Sequence, residues 1–295
     1  MKESCDMHIH TNHSDGNLSG SEILQYAAKC GLKKLSITDH DCVDFYLDEK
    51  IVDMLKDFDY VTGCEFVCSY GNVPIEIIGY GIDVKGAKEY LDMHGINENR
   101  IEKYRSENTP KVFAKHGIVL DYDPESIDFT QKCPMALEKL YNVILQNPEA
   151  VSFLDEENPR LLQSVSTFLR EGLNNPTSKI FIASHTLYPT YDRITTLINK
   201  LGGISFLAHP YQYGDNMDRV LEGTKKYVDG IECYHYTTIE KDKTDYLKKF
   251  CKKNGLMISG GSDFHIQDPK GNDLLNKLSI PAKYFDKIKK RLRLK

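Results

Sequence analysis

Nowhere does this sequence carry the roughly 18 consecutive apolar residues that a bilayer-spanning helix needs, and Met1-Lys2-Glu3-Ser4-Cys5 does not open an apolar signal segment. The two absences predict a soluble, cytoplasmic protein with no membrane partner. Its eight cysteines, at 5, 30, 42, 64, 68, 133, 233 and 251, include no CxxC pair and no dense disulfide spacing, which predicts reduced thiols. Cys64 and Cys68 lie in an apolar stretch and read as core residues rather than zinc ligands. Basic charge is also short. A formal net charge of -5 argues against a nucleic-acid backbone held on a basic surface, so no stable nucleic-acid partner is expected. There is no internal repeat or low-complexity tract, and the basic tail at 289–293 reads as a solvated helix end.

What is present is an alternation of short apolar runs with helical patterns. Residues 5–9, 34–38, 60–64, 204–208, 230–233 and 256–259 read as strands, and 73–80 as a further strand that is apolar apart from Glu76. Ser19-Gly20-Ser21-Glu22 is a capping box that opens a helix through Cys30, closed by Gly31. Residues 189–201, stopped by Gly202-Gly203, repeat the design. The alternation implies βα units and a mainly parallel sheet or barrel. From 85 to 179 the pattern turns charged and helical, with 100–105 and 159–172 as examples. We therefore expect a barrel domain from 1–84 and 180–295, and an inserted helical arm over 85–179.

The residues that carry chemistry fall at the strand ends. His8 and His10 close the first run, Asp39-His40 the second and Glu65 the third; His209 follows 204–208, and Asp263-Phe264-His265 follows the last. Two histidines at i and i+2 on one strand share a face, and in a parallel barrel these ends lie on one rim. Imidazole and carboxylate together suit zinc, iron or manganese, and a carboxylate such as Glu65 can bridge two ions.

These residues sit in motifs. Asp6-Met-His8-Ile-His10-Thr-Asn-His-Ser-Asp15-Gly16, Ile37-Thr38-Asp39-His40-Asp41, Gly63-Cys64-Glu65, Ala208-His209-Pro210, Asp229-Gly230-Ile231-Glu232 and Gly260-Gly261-Ser262-Asp263-Phe264-His265 run along nearly the whole chain. With them the chain resembles the PHP (polymerase and histidinol phosphatase) superfamily, and is most similar to the stand-alone PHP phosphoesterases that act on nucleotides. The resemblance implies an α/β fold, a distorted (β/α)7 TIM-like barrel, and two or three divalent metal ions. By the same resemblance, His8, His10, Glu65 and Asp263 would hold one ion, Glu65, Glu76 and His209 a second, and Asp15, His40 and His265 a third.

Two departures from the family pattern stand out. Relatives usually place histidine where this chain has Glu76; a carboxylate can still ligate a hard ion, or it can serve only as a hydrogen-bond partner. In the arm, the Arg-Pro-His segment with which nucleotide-acting relatives grip phosphate is replaced by Cys133-Pro134-Met135, leaving Lys132 or an arm arginine as possible substitutes. Glu232 reads as an orienting carboxylate. His235 is the candidate phosphate contact, His13 and His185 are possible rim residues, and His94 and His116 read as surface residues of the arm.

The expected activity is metal-dependent hydrolysis of a phosphate monoester, of a nucleotide or a related small phosphorylated metabolite. Two ions would lower the pKa of a bridging water so that hydroxide exists near neutral pH. Asp263 would accept a proton, and His235 is one candidate donor to the leaving group. Three other readings remain open: a histidinol-phosphate phosphatase, an exonuclease on short oligonucleotides, and a metal-binding regulatory module without turnover.

Overall fold

The computed structural model describes residues 4–94, 98–129, 135–266, 275, 278 and 280–295. The fold is mixed α/β and divides into two compact units. One comprises residues 1–70, 75–95 and 189–295, the other residues 71–74 and 96–188. No described helix is long and apolar enough to cross a membrane.

Among the described residues nine strands form two sheets, nearly all in the larger unit. The first has the order β3 (Asp59–Tyr60), β2 (Lys34–Leu35), β1 (Ser4–Asp6), β9 (Ile280–Pro281). The second runs β4 (Gly63–Tyr70), β5 (Val73–Tyr80), β6 (Ile204–Leu207), β7 (Gly230–Tyr234), β8 (Met257–Gly260). Pairing is parallel for β1·β2, β2·β3, β6·β7 and β7·β8, and antiparallel for β1·β9 and β5·β6. Two isolated parallel bridges, His40↔Glu65 and Ile9↔Phe264, join one sheet to the other.

The first strand is shorter than the expected 5–9. Its ladder stops at Asp6, because the Asp6 carboxylate accepts the backbone N–H groups of His8 and Ser262 (3.3 and 2.9 Å). The run at 60–64 is split between β3 and β4. At the break the Tyr46 hydroxyl donates to the Ile37 carbonyl (2.7 Å) and accepts from Gly63 N–H (3.1 Å), standing in for strand pairing. The capping box is formed: Ser19 and Glu22 bond each other reciprocally at the start of the helix Gly20–Lys29. The 189–201 pattern becomes the helix Tyr191–Lys200.

Apolar faces bury against the sheets in two clusters. Ile23, Leu24 and Ala27 pack with Leu35, Phe45 and Phe264, and Tyr80, Phe206, Phe285 and Ile288 pack with Met7. Cys64 and Cys68 are fully buried, as core residues should be. The seven described cysteines are free thiols.

The smaller unit is helical and has its own core. Phe113 from Glu98–Lys115, Leu140 and Ile144 from Ala136–Gln146, Leu154 from Pro148–Glu157, and Phe168 form one apolar cluster. The stretch 159–172 is helical as expected, in two pieces: a 3-10 helix Pro159–Leu162 and a run from Val165 that widens into a π-helix Phe168–Leu173, started by Asn158 and Ser164, whose side chains accept the N–H groups of Arg160 and Thr167.

Candidate metal centre

The residues that matter are brought together by the two ends of the chain. Just after β1, His8 C=O accepts from Asp263 N–H, His10 N–H donates to Phe264 C=O, and Asn17 N–H donates to His265 C=O, at 2.9, 2.9 and 2.7 Å. The backbones lie so close that a Cβ on Gly261 would fall 2.0 Å from His8 Cβ. Only glycine fits there. The loop that follows His10 is anchored by Asp39, which accepts from Thr11 N–H, Thr11 Oγ1 and Ser14 Oγ at 2.7, 2.8 and 2.6 Å. Asp39, one of the strand-end carboxylates, is thus occupied in holding the loop that carries Asp15.

Around His8 and His10 the other candidates converge in three overlapping groups. His8, His10, Glu65 and Asp263 form one; His10, Asp15, His40 and His265 a second; and His40, Glu65 and Glu76 a third, with donor atoms within 4.8 Å of one another in each. His209 Nε2 lies 3.0 Å from Glu65 Oε1 and 3.1 Å from Glu76 Oε2. Glu76 therefore sits with Glu65 and His209, as the resemblance implied for that position, while His40 reaches two groups and His10 joins the Asp15 group.

The surrounding contacts orient these side chains. Glu232 spans the site from β7: one oxygen meets His8 Nδ1 (3.0 Å) and the other accepts His209 N–H (2.9 Å), the arrangement by which an outer carboxylate sets the tautomer and angle of a ligating imidazole. Asp263 faces both ways. Its Oδ1 is 3.3 Å from His8 Nε2 and 3.2 Å from His10 Nε2, and its Oδ2 is 3.1 Å from His235 Nε2. His235 is itself buried, with Nδ1 at 2.9 Å from Thr237 Oγ1. Tyr213 gave no signal in the sequence, yet its hydroxyl accepts from Glu76 N–H and donates to Ala208 C=O, pinning β5 to the turn that carries His209.

The backbone here is strained. Among the described non-glycine residues four have left-handed φ, and three of them, Asp41 (42°), His209 (24°) and Asp263 (55°), belong to this region. Such conformations cost about 1–3 kcal/mol each and persist where the surroundings over-determine them.

The electrostatics suit a cation. Burial opposes the charge on His8, but Glu65, Glu232 and Asp263 outweigh it and hold the imidazole protonated well above its ordinary range. Burial is likewise overcome at His209 by Glu76 and Glu65, and at His40 by Glu65 and Asp15. The reciprocal effect holds Glu65 and Asp263 well below the usual carboxylate range despite their burial, through His8 and the other imidazoles. His235 is the exception, since burial lowers it. Both ring nitrogens of His10, and Nδ1 of His40 and His209, are buried without a hydrogen-bond partner among the described residues. His10 Nε2 is 3.2 Å from Glu65 Oε2 yet badly angled for a bond. Buried ring nitrogens without a partner, next to carboxylate oxygens within 4.8 Å, are a donor set that suits a divalent ion.

Comparison with known proteins agrees with this geometry. The PHP domain pattern matches residues 6–254. The chain belongs to the PHP family. It is 25% identical over 287 residues to a 3',5'-nucleoside bisphosphate phosphatase of Chromobacterium violaceum, spanning 94% of this chain and 92% of the relative. It is 26% identical over 272 residues to a 5'-3' exoribonuclease of Haemophilus influenzae, spanning 90% and 91%. Among solved structures, an amidohydrolase from Chromobacterium violaceum with bound sulfate and no metal superposes with a TM-score of 0.64 at 20% identity, covering 98% of this chain and 96% of that one. With this family and these relatives, the PHP chain is a metal-dependent phosphoesterase.

Of the remaining sequence candidates, His13 groups with Cys42 and Asp44. His116 is exposed, with Nε2 3.3 Å from Lys179 C=O; His94 ends the helix Val84–His94 and is exposed. His185 belongs to the helical unit. Met135 starts the helix Ala136–Gln146 in a left-handed conformation and is 58% exposed, whereas Lys132, Cys133 and Pro134 lie outside the described residues.

Proposed function

We propose that this PHP protein hydrolyses a phosphate monoester of a nucleotide or related small phosphorylated metabolite at the centre around Glu65. The observation that carries the reading is the sharing of Glu65 between groups of candidate ligands, which lets one buried carboxylate serve two ions. We assign His8, His10, Asp15, His40, Glu65, Glu76, His209, Asp263 and His265 as ligands of two or three divalent ions, manganese, iron or zinc. Bound there, the ions supply Lewis acidity toward phosphate oxygens and acidify water.

The chain's own residues do the rest. Asp263, poised between His8 and His235, accepts the proton of the attacking water on its Oδ2 side. His235 accepts Thr237 N–H at Nδ1, so its neutral ring carries the proton on Nε2, where it donates to Asp263 Oδ2, orients that carboxylate, and is the candidate proton donor to the leaving group and phosphate contact. Glu232 holds His8 in place throughout. The two bridges His40↔Glu65 and Ile9↔Phe264 support closing the two sheets into one distorted (β/α)7 barrel, which would put all these strand ends on one rim.

A phosphate-release assay on nucleoside 3',5'-bisphosphates, mononucleotides, histidinol phosphate and short oligoribonucleotides, each with manganese, iron and zinc, tests the proposal. We expect kcat/KM for a nucleoside phosphate to exceed that for histidinol phosphate by at least about tenfold. No release from any member with any metal would sink it. The Haemophilus relative favours a second reading, stepwise removal of nucleotides from short oligonucleotides, which shows as mononucleotide products in the same panel.

A further inference from the structure

We propose a separate, peripheral zinc-type site built from His13, Cys42 and Asp44. One donor atom from each of the three lies within 4.8 Å of the others. They are a nitrogen, a sulfur and a carboxylate oxygen, the donor set that zinc takes with three protein ligands and a water in the fourth position. Zinc bonds of about 2.0–2.3 Å set donor separations near 3.5 Å in a tetrahedron, so small side-chain rotations close the set. All three residues are partly exposed, which gives an ion from solution a way in. None of the three groups around His8 and His10 contains a thiol. The two places therefore differ in the softness of their donors, and sulfur biases this one toward zinc over manganese or magnesium.

The segments that present the donors are held firmly. His13 N–H donates to Thr11 Oγ1 (3.1 Å), and Thr11 and Ser14 on either side are bound to the buried Asp39. Cys42 follows the left-handed Asp41, whose N–H donates to Glu65 C=O (2.9 Å). Asp44 opens the turn Asp44–Leu47, which is pinned through the Tyr46 hydroxyl. A ligand set on pre-ordered backbone loses little entropy on binding. One competitor is Lys88, 3.2 Å from Asp44 Oδ1. It also pairs with Asp92 at 2.8 Å, so it keeps a partner when Asp44 turns to a metal, and such an exposed pair resists weakly. His13 lies on the loop of Asp15 and Cys42 on the turn of His40. An ion here ties together two segments that each supply a member of the His10, Asp15, His40, His265 group.

Cobalt is the probe, because a cobalt–thiolate bond gives a sulfur-to-metal charge-transfer band that histidine and carboxylate ligands do not. Full-length protein preloaded with manganese should take up cobalt with this band. Cys42→Ser should lose the band and bind one cobalt fewer, while retaining its manganese and its thermal midpoint. Should Cys42→Ser fail to fold, Asp44→Asn carries the test, with cobalt affinity at the thiolate-reporting site expected to fall by about tenfold or more. No thiolate band in the wild type, a band of equal intensity in Cys42→Ser, or unchanged affinity in Asp44→Asn overturns the site. X-ray absorption of the zinc-loaded protein should show one zinc–sulfur distance near 2.3 Å, and its absence counts equally against the proposal.

Discussion

The strand-bearing unit and the helical unit solve opposite problems. In the first, apolar clusters are joined by a group of buried imidazoles and carboxylates of opposite charge, part of it on strained backbone. In the second, the centre is an apolar cluster that includes Phe113, Leu140, Ile144, Leu154 and Phe168. Burial of apolar area stabilises the helical unit directly, whereas burial in the first unit carries a desolvation cost that only opposite charge offsets. One unit therefore depends on what it binds, and the other on how well it packs.

The largest effect should come from removing a charge partner at the centre. Asp263→Ala and His8→Ala are each expected to lower kcat/KM by roughly a thousandfold and to reduce bound metal, with the circular dichroism spectrum preserved. Full activity in either variant would erase the contrast. Leu140→Ala should do the reverse: it costs about 2–5 kcal/mol on denaturant unfolding while metal content stays the same. A loss of metal in Leu140→Ala would show that the two units are not energetically distinct.

A smaller effect sharpens the comparison through pH. The folded, metal-free protein holds protons on His8, His40 and His209 more tightly than an unfolded chain does. That stabilisation is fully present below the unfolded value of about 6.5 and is lost as pH rises through the raised folded values. Metal must displace those same protons, so its apparent affinity rises over the same interval. The thermal midpoint of stripped protein should therefore fall as pH is raised above neutrality, and the gap to metal-loaded protein should widen. A gap that narrows would contradict the charge assignment.

The same contrast explains what could be read before any coordinates. Ligation chemistry tolerates few residue types, so His8-x-His10, Glu65, His209 and Asp263-x-His265 stood out as candidates at strand ends, and the structure brings them close together; Ser19-x-x-Glu22 announced a helix start. The short length of β1 was not readable, because Asp6 ends it through a bond to Ser262, some 250 positions away. Tyr46 and Tyr213 were missed for a related reason: a tyrosine whose hydroxyl replaces a backbone partner looks like any other core aromatic. The helical reading of 159–172 holds, but the break at 163–164 escaped because Ser164 restarts the helix by a local side-chain bond to Thr167 N–H. Cys42 and Asp44 had no motif to join, since their partner His13 lies on a distant loop.

The seam between residues 7–17 and 260–265 has a consequence for how the protein is made. Chain synthesis runs at about 5–20 residues per second, and the segment 260–265 follows residues 7–17 by about 250 positions. His8 and His10 are made well before Asp263 and Phe264, whose backbones pair with theirs only once residues 260–265 have emerged. Long-range closure of this kind is slow and comes late. The candidate ligands around Glu65 are assembled only once this seam has closed, so an ion bound there would meet the full set after residue 265 has been made and not before.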